Sequence, residues 1–163
     1  MMKIASVWAV SCGLVWLGSL AQAGAEKKPF QHTPDEMKVF ELTNVERKLK
    51  ELPPLKLSVT LSKIARAHSD NMAWQGKMEH KLDDKTPGDR SRAAGYAFKM
   101  VGENIGAGDD GTTMPMIMKA WMDSPGHREN MLFADYTEIG VGIGRDKEGK
   151  LYFTQLFAIP RKK

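Results

Sequence analysis

Residues Thr137-Glu138-Ile139-Gly140-Val141-Gly142-Ile143-Gly144 alternate a branched side chain with glycine three times over. In a strand successive side chains point to opposite faces, so the three glycines share one face and leave its backbone bare. The segment Leu151-Tyr152-Phe153-Thr154-Gln155-Leu156-Phe157-Ala158 is aromatic and β-prone, and Asp146–Lys150 between the two is turn-rich. The pattern predicts a C-terminal β-hairpin whose first strand accepts another element tightly against its glycine face.

Upstream the period changes to that of helices. Thr33-Pro34-Asp35-Glu36 supplies an N-cap, a first-turn proline and a capping-box acid for a helix from Pro34 to about Leu49. Met37, Phe40, Asn44 or Val45 and Leu49 are its expected inner side, and Pro53-Pro54 stops it. Ser58 caps a second helix with Leu61, Ile64, Ala65, His68 and Met72 on one face, ended by Gly76. That spacing turns His68 inward, as a core histidine whose nitrogens are hydrogen-bonded. Thr86-Pro87-Gly88-Asp89 starts a short helix through Ala94, closed by Gly95, and Thr113 caps another from Met114 to about Asp123. A further helical turn is expected around Arg128–Leu132. Val101-Gly102-Glu103-Asn104-Ile105-Gly106 reads as a strand or a tight loop. Helices first and a hairpin last give an α+β domain, with helices layered on a small, mainly antiparallel sheet.

Residues 1–23 carry Lys3, an apolar run from Ile4 to Leu20 and the ending Ala21-Gln22-Ala23. This is the layout of a secretory signal peptide cleaved after Ala23, leaving no membrane span and a secreted or periplasmic protein. The expected organisation is signal peptide 1–23, flexible leader 24–33, folded domain 34–159 and basic tail 160–163. The only cysteine, Cys12, lies inside the signal, so neither a disulfide framework nor a cysteine zinc site can form. Lys plus Arg number 24 and Asp plus Glu 20, a net charge of +4 spread without blocks. Nucleic acid is not the partner such a distribution indicates.

Two nucleotide motifs fail. Gly144–Lys150 fits G-x-x-x-x-G-K, but Leu151 follows where magnesium binding needs Ser or Thr, and the segment joins strands. Gly106–Gly111 fits G-x-G-x-x-G, but Asp109 and Asp110 would face the pyrophosphate and no βαβ unit surrounds them. There is no H-E-x-x-H and no G-x-S-x-G. Met114, Met116, Met118 and Met122 at helical spacing read as core filler rather than a copper site.

What remains are His80, Glu103, Ser124 and His127, each beside a Gly, a Pro or a helix boundary. Two imidazoles and a carboxylate are the donors of a His2Glu metal site, or the base and acid that polarise a water. The bland alternatives are a solvated His80, a Glu103 bracing the Gly-rich segment and a His127 tying down a helix start.

The segments Leu61–Ser69, Gly102-Glu103-Asn104-Ile105, Trp121–Asn130, Tyr136–Gly142 and Tyr152–Phe157, taken together, resemble the bacterial branch of the CAP superfamily, the SCP-like domains of cysteine-rich secretory, antigen 5 and pathogenesis-related 1 proteins. The likeness covers about residues 36 to 158. The resemblance implies an α-β-α sandwich and a cleft with two His and two acids, which in some members holds a divalent cation such as zinc. It puts His80, Glu103 and His127 at three of those positions, with His80 and His127 as the metal ligands. The fourth, three residues after Trp121, is Ser124 here where an acid is usual, so the set is reduced. Asp123 substitutes only if the helix end turns it inward. The expected function is an exported binding module whose cleft of His80, Glu103, Ser124 and His127 holds a small ligand, lipid, glycan or peptide. The alternative is a metal-assisted, peptidase-like hydrolase in the same cleft, and a third reading is envelope interaction without cleft chemistry.

Overall fold

The computed structural model describes residues 28–161. The expected signal peptide, Cys12 and Lys162-Lys163 lie outside them. In chain order the elements are α1 (Pro34–Leu49), β1 (Lys56–Leu57), α2 (Val59–Gln75), α3 (Pro87–Ala93), β2 (Phe98–Gly108), α4 (Met114–Asp123), α5 (Pro125–Leu132), β3 (Glu138–Arg145) and β4 (Leu151–Pro160). The strands form one mixed sheet in the order β1-β3-β4-β2, parallel only between β1 and β3.

Side-chain alternation along β4 builds three layers. Tyr152, Leu156 and Ala158 pack with Leu61, Ile64, Ala65 and Met72 of α2, while Phe153 and Phe157 pack with Val39 of α1, Met118 and Trp121 of α4 and Met131 of α5. Leu151–Ala158 is therefore buried throughout. The arrangement is the expected α+β sandwich, helices on both faces of a small sheet.

The bare face of β3 is what lets α2 in. A Cβ built on Gly144 would stand 2.5 Å from the Ser69 carbonyl carbon, and one on Gly140 or Gly142 would be closer still to the backbone at Leu61–Ser62 or Ala65–Arg66. The match is geometric: two strand residues advance about 6.6 Å and four helical residues about 6 Å, so successive glycines meet successive turns of α2. Ser69 Oγ locks the contact by donating to Gly142 O at 2.9 Å.

The inner face of α1 differs from expectation. Glu36, Val39, Thr43 and Arg47 are buried, whereas Val45 and Leu49 are exposed. Polar groups are tolerated there because each is satisfied. Glu36 takes the Thr33 N–H at 2.8 Å and pairs with Arg66; Arg47 donates to the carbonyls of Pro53, Met131 and Phe133 at 2.9–3.0 Å and to that of Tyr136 at 3.4 Å. The stretch read as strand or loop is the eleven-residue β2, and the crossing at Lys56-Leu57 is a short parallel strand. Within the stretch read as leader, His32 Nε2 lies 2.9 Å from Ser62 Oγ and Arg66 stacks 4.1 Å over the Phe30 ring. Pro160 ends β4, and the Arg161 N–H bonds Ala97 O. The methionine run splits, Met114 and Met118 entering the core and Met116 facing out.

Candidate functional site

Strand β2 is an edge of the sheet, and Glu103 lies at its centre, paired with Leu156 of β4. Residues opposite each other in an antiparallel pair share a face, so Glu103 points with Leu156 toward α2 and α3. Its neighbour Asn104 points with Gln155 to the other layer, where its Nδ2 donates to Gln155 Oε1 and to the carbonyl of His127. Asn130 of α5 donates to Glu103 O at 3.2 Å and to Asn104 Oδ1 at 3.0 Å. Gly102 clears the way for this stitching, since a Cβ there would meet the Tyr136 hydroxyl and stand 2.8 Å from Asn130 Oδ1. Gly102-Glu103-Asn104 thus joins both layers at one sheet edge.

The Glu103 carboxylate is buried, with 2 % of its side chain exposed. A lone buried carboxylate is costly unless paired. His80 Nδ1 lies 2.9 Å from Oε1, Arg90 Nη2 donates to Oε2 at 2.5 Å, and His68 Nε2 is 3.8 Å from Oε1. A carboxylate ion only accepts, so Nδ1 is the His80 donor in this contact, and in the neutral ring Nε2 is the acceptor. Arg90 also donates to the carbonyls of His80 and Lys85, at 3.0 and 2.8 Å, so α3 fixes the loop that carries His80. The His80 side chain is half exposed.

His68 is buried as expected, with the Glu79 backbone and the Glu103 carboxylate, 3.8 Å away, facing its ring. Burial pushes its pKa down to about 4 against the opposing pull of Glu103, so it is neutral at physiological pH. His127 opens α5; burial and then the nearby His80 lower its pKa, and its Nδ1 is buried without a partner. The structure thus brings His80 and Glu103 into direct contact and sets His127 within electrostatic reach of His80. Ser124 joins α4 to α5 through its backbone, and its side chain caps neither helix. Asp123 does not take its place, being exposed and paired with Lys119 at 2.5 Å.

Sequence patterns do not single out Arg90 or His68 as members of this cluster. A usable signal exists for the first, because a Glu in the middle of a buried strand demands a cation. Among the described residues no group of three or more His, Cys, Asp or Glu side chains is arranged to hold a metal ion. Both Glu103 oxygens are engaged, by His80 and Arg90, and the three imidazoles of the cluster are those of His68, His80 and His127.

A family model described as CAP, the Cysteine-rich secretory protein family, matches residues 40–157. The chain belongs to the CAP family. The uncharacterized protein YkwD of Bacillus subtilis (strain 168) is 41% identical over 131 residues, 76% of this chain and 50% of YkwD. This CAP chain thus spans about half the length of that relative. An extracellular protein containing an SCP domain from Bacillus anthracis superposes with a TM-score of 0.68 at 28% identity, over 80% of this chain and 45% of that one. An outer surface protein from Borrelia burgdorferi superposes with a TM-score of 0.72 at 23% identity, over 80% and 97%, and shows the shared fold. At 14% identity and a TM-score of 0.58, over 85% and 88%, the CAP fold is also that of the structure titled NaASP2 with Zn2+.

Proposed function

We propose that this CAP domain is an exported, non-enzymatic binding module. In it Glu103 orients His80 so that the bare Nε2, beside His127, presents a hydrogen-bond acceptor to a small ligand, glycan or peptide. The observation that carries the reading is the double engagement of Glu103 by His80 and Arg90. A carboxylate so held is a poor general base and is not free to ligate, which is what metal-assisted hydrolysis would ask of it. With Glu103 held on both oxygens, the cleft offers imidazoles but no free carboxylate to a divalent cation. Export is supported by residues 1–23 and by relatives whose names place them outside the cell or at its surface. Among the described residues no helix is long and apolar enough to cross a membrane.

Calorimetric titration with zinc tests this. The reading expects no saturable zinc binding below about 100 µM, the range in which binding free energy exceeds roughly 5 kcal/mol. Tight equimolar binding that disappears in the His80→Ala, His127→Ala double variant would favour the hydrolase instead.

A further inference from the structure

A second recognition surface lies along the flank of α2 that faces α3. Thr60, Lys63, Ile64, Ala67, His68 and Asn71 recur at i, i+3, i+4, i+7, i+8 and i+11, one stripe along the helix, distinct from the turns that meet the β3 glycines. With Leu82, Lys85 and the α3 end at Ala93-Ala94 this stripe lines an open groove of about 640 Å3, within the usual range for ligand sites. From Thr60 to Asn71 the helix advances roughly 16 Å, the span of about five extended residues.

The chemistry of the groove is specific. Its apolar parts are small or aliphatic, Ala67, Ala93 and Ala94 beside Ile64 and Leu82. Among the described residues no salt bridge engages Lys63 or Lys85, while both oxygens of the groove's only acid, Asp83, are held by Asn71 and Gln75 at 2.8 and 3.0 Å. One unspent polar group borders it, the buried Nε–H of Arg90, next to the buried His68. Unpaired buried donors of this kind cost free energy until an acceptor reaches them. A hydrocarbon chain would strip water from Thr60 and Asn71 without replacing it. An extended peptide presents an N–H and a C=O at every residue.

We infer that the α2–α3 groove binds a short extended peptide with small or aliphatic side chains and a free C-terminal carboxylate, drawn by Lys63, Lys85 and the Nε–H of Arg90. The groove shares Arg90 and His68 with the Glu103 cluster but uses neither His80 nor His127.

Fluorescence anisotropy with labelled Ala-Leu-Ala-Ala, as the free acid and as the C-terminal amide, tests the assignment on the purified protein. The acid should saturate and the amide bind about tenfold or more weakly, the worth of one charged hydrogen-bonded contact. Ala67→Phe, at an exposed helical position, should weaken the acid by about tenfold by filling the groove, and Lys63→Glu with Lys85→Glu should weaken it further at low salt. Melting temperatures should not change, and Met116→Ala on α4 should bind as the parent does. Equal binding of acid and amide, or parent-like binding by Ala67→Phe, would overturn the proposal. So would no saturation by about 1 mM, or decanoate displacing the peptide at lower concentration than the peptide itself requires.

Discussion

Gly142→Ala adds one methyl group to the molecule, and the packing of α2 on β3 says what that should cost. The new Cβ would fall inside contact distance of the Arg66 amide and the Ala65 carbonyl carbon, all backbone atoms of a helix held along its length. No rotamer change relieves such a clash, so α2 must lift off the sheet and loosen Leu61, Ile64, Ala65 and Met72 together. Overpacking usually costs about 1–3 kcal/mol, and a contact with rigid backbone belongs at the upper end. Stiffening the unfolded chain by replacing glycine returns roughly 0.4–1 kcal/mol. The net loss is about 2 kcal/mol or more, which for a domain of this size lowers the melting temperature by roughly 6–8 °C. Thermal unfolding followed by circular dichroism measures it, with Gly126→Ala as control, because a Cβ on Gly126 in α5 meets nothing within 4 Å. A Gly142→Ala protein that melts within about 2 °C of the parent would refute the claim that helix and strand backbones touch there.

Glu103→Ala should destabilise by about 3 kcal/mol, since it strands the Arg90 guanidinium in a largely buried position, while Glu103→Gln keeps hydrogen-bond acceptance and should cost less; urea unfolding distinguishes them. Arg47→Met should cost about 3 kcal/mol or more by orphaning four carbonyls that α1 now satisfies, read by the same assay. The His68 pKa stands near 4 in the fold against an ordinary 6.5, through burial, opposed by Glu103 and aided by Arg90 and His80. Between those values the unfolded chain binds a proton that the native one excludes. Stability therefore falls as pH drops from 6.5 toward 4, by up to about 3 kcal/mol, and a His68→Gln protein should show a shallower fall.

Much of the architecture is legible in the sequence because it rests on local chemistry. Thr33 with Glu36 and Thr86 with Asp89 form the capping boxes their spacing implies, and Gly76 and Gly95 adopt the left-handed conformation at helix ends. The glycine alternation announces the close approach to β3 but not which helix makes it. The inner face of α1 escapes the pattern because Glu36, Thr43 and Arg47 become inward residues only through partners 30 or more positions away. Strand β1 has two residues and no periodicity to detect. For the site, Glu103 and His80 stand 23 residues apart and meet only when the loop before α3 folds onto the β2 edge. Arg90, buried against them, looks in the sequence like any basic residue of a short helix.

The proposed role of the cleft turns on Glu103 holding His80 by its Nδ1 proton. Long-range proton–nitrogen correlation spectroscopy on the nitrogen-labelled protein near neutral pH reads this directly. The expected result is that His80 carries its proton on Nδ1 with a bare Nε2, that this preference is lost in Glu103→Ala, and that equimolar zinc leaves the parent's signals in place. A proton on Nε2 in the parent protein, or zinc shifting the His80 and His127 nitrogens together, would contradict it.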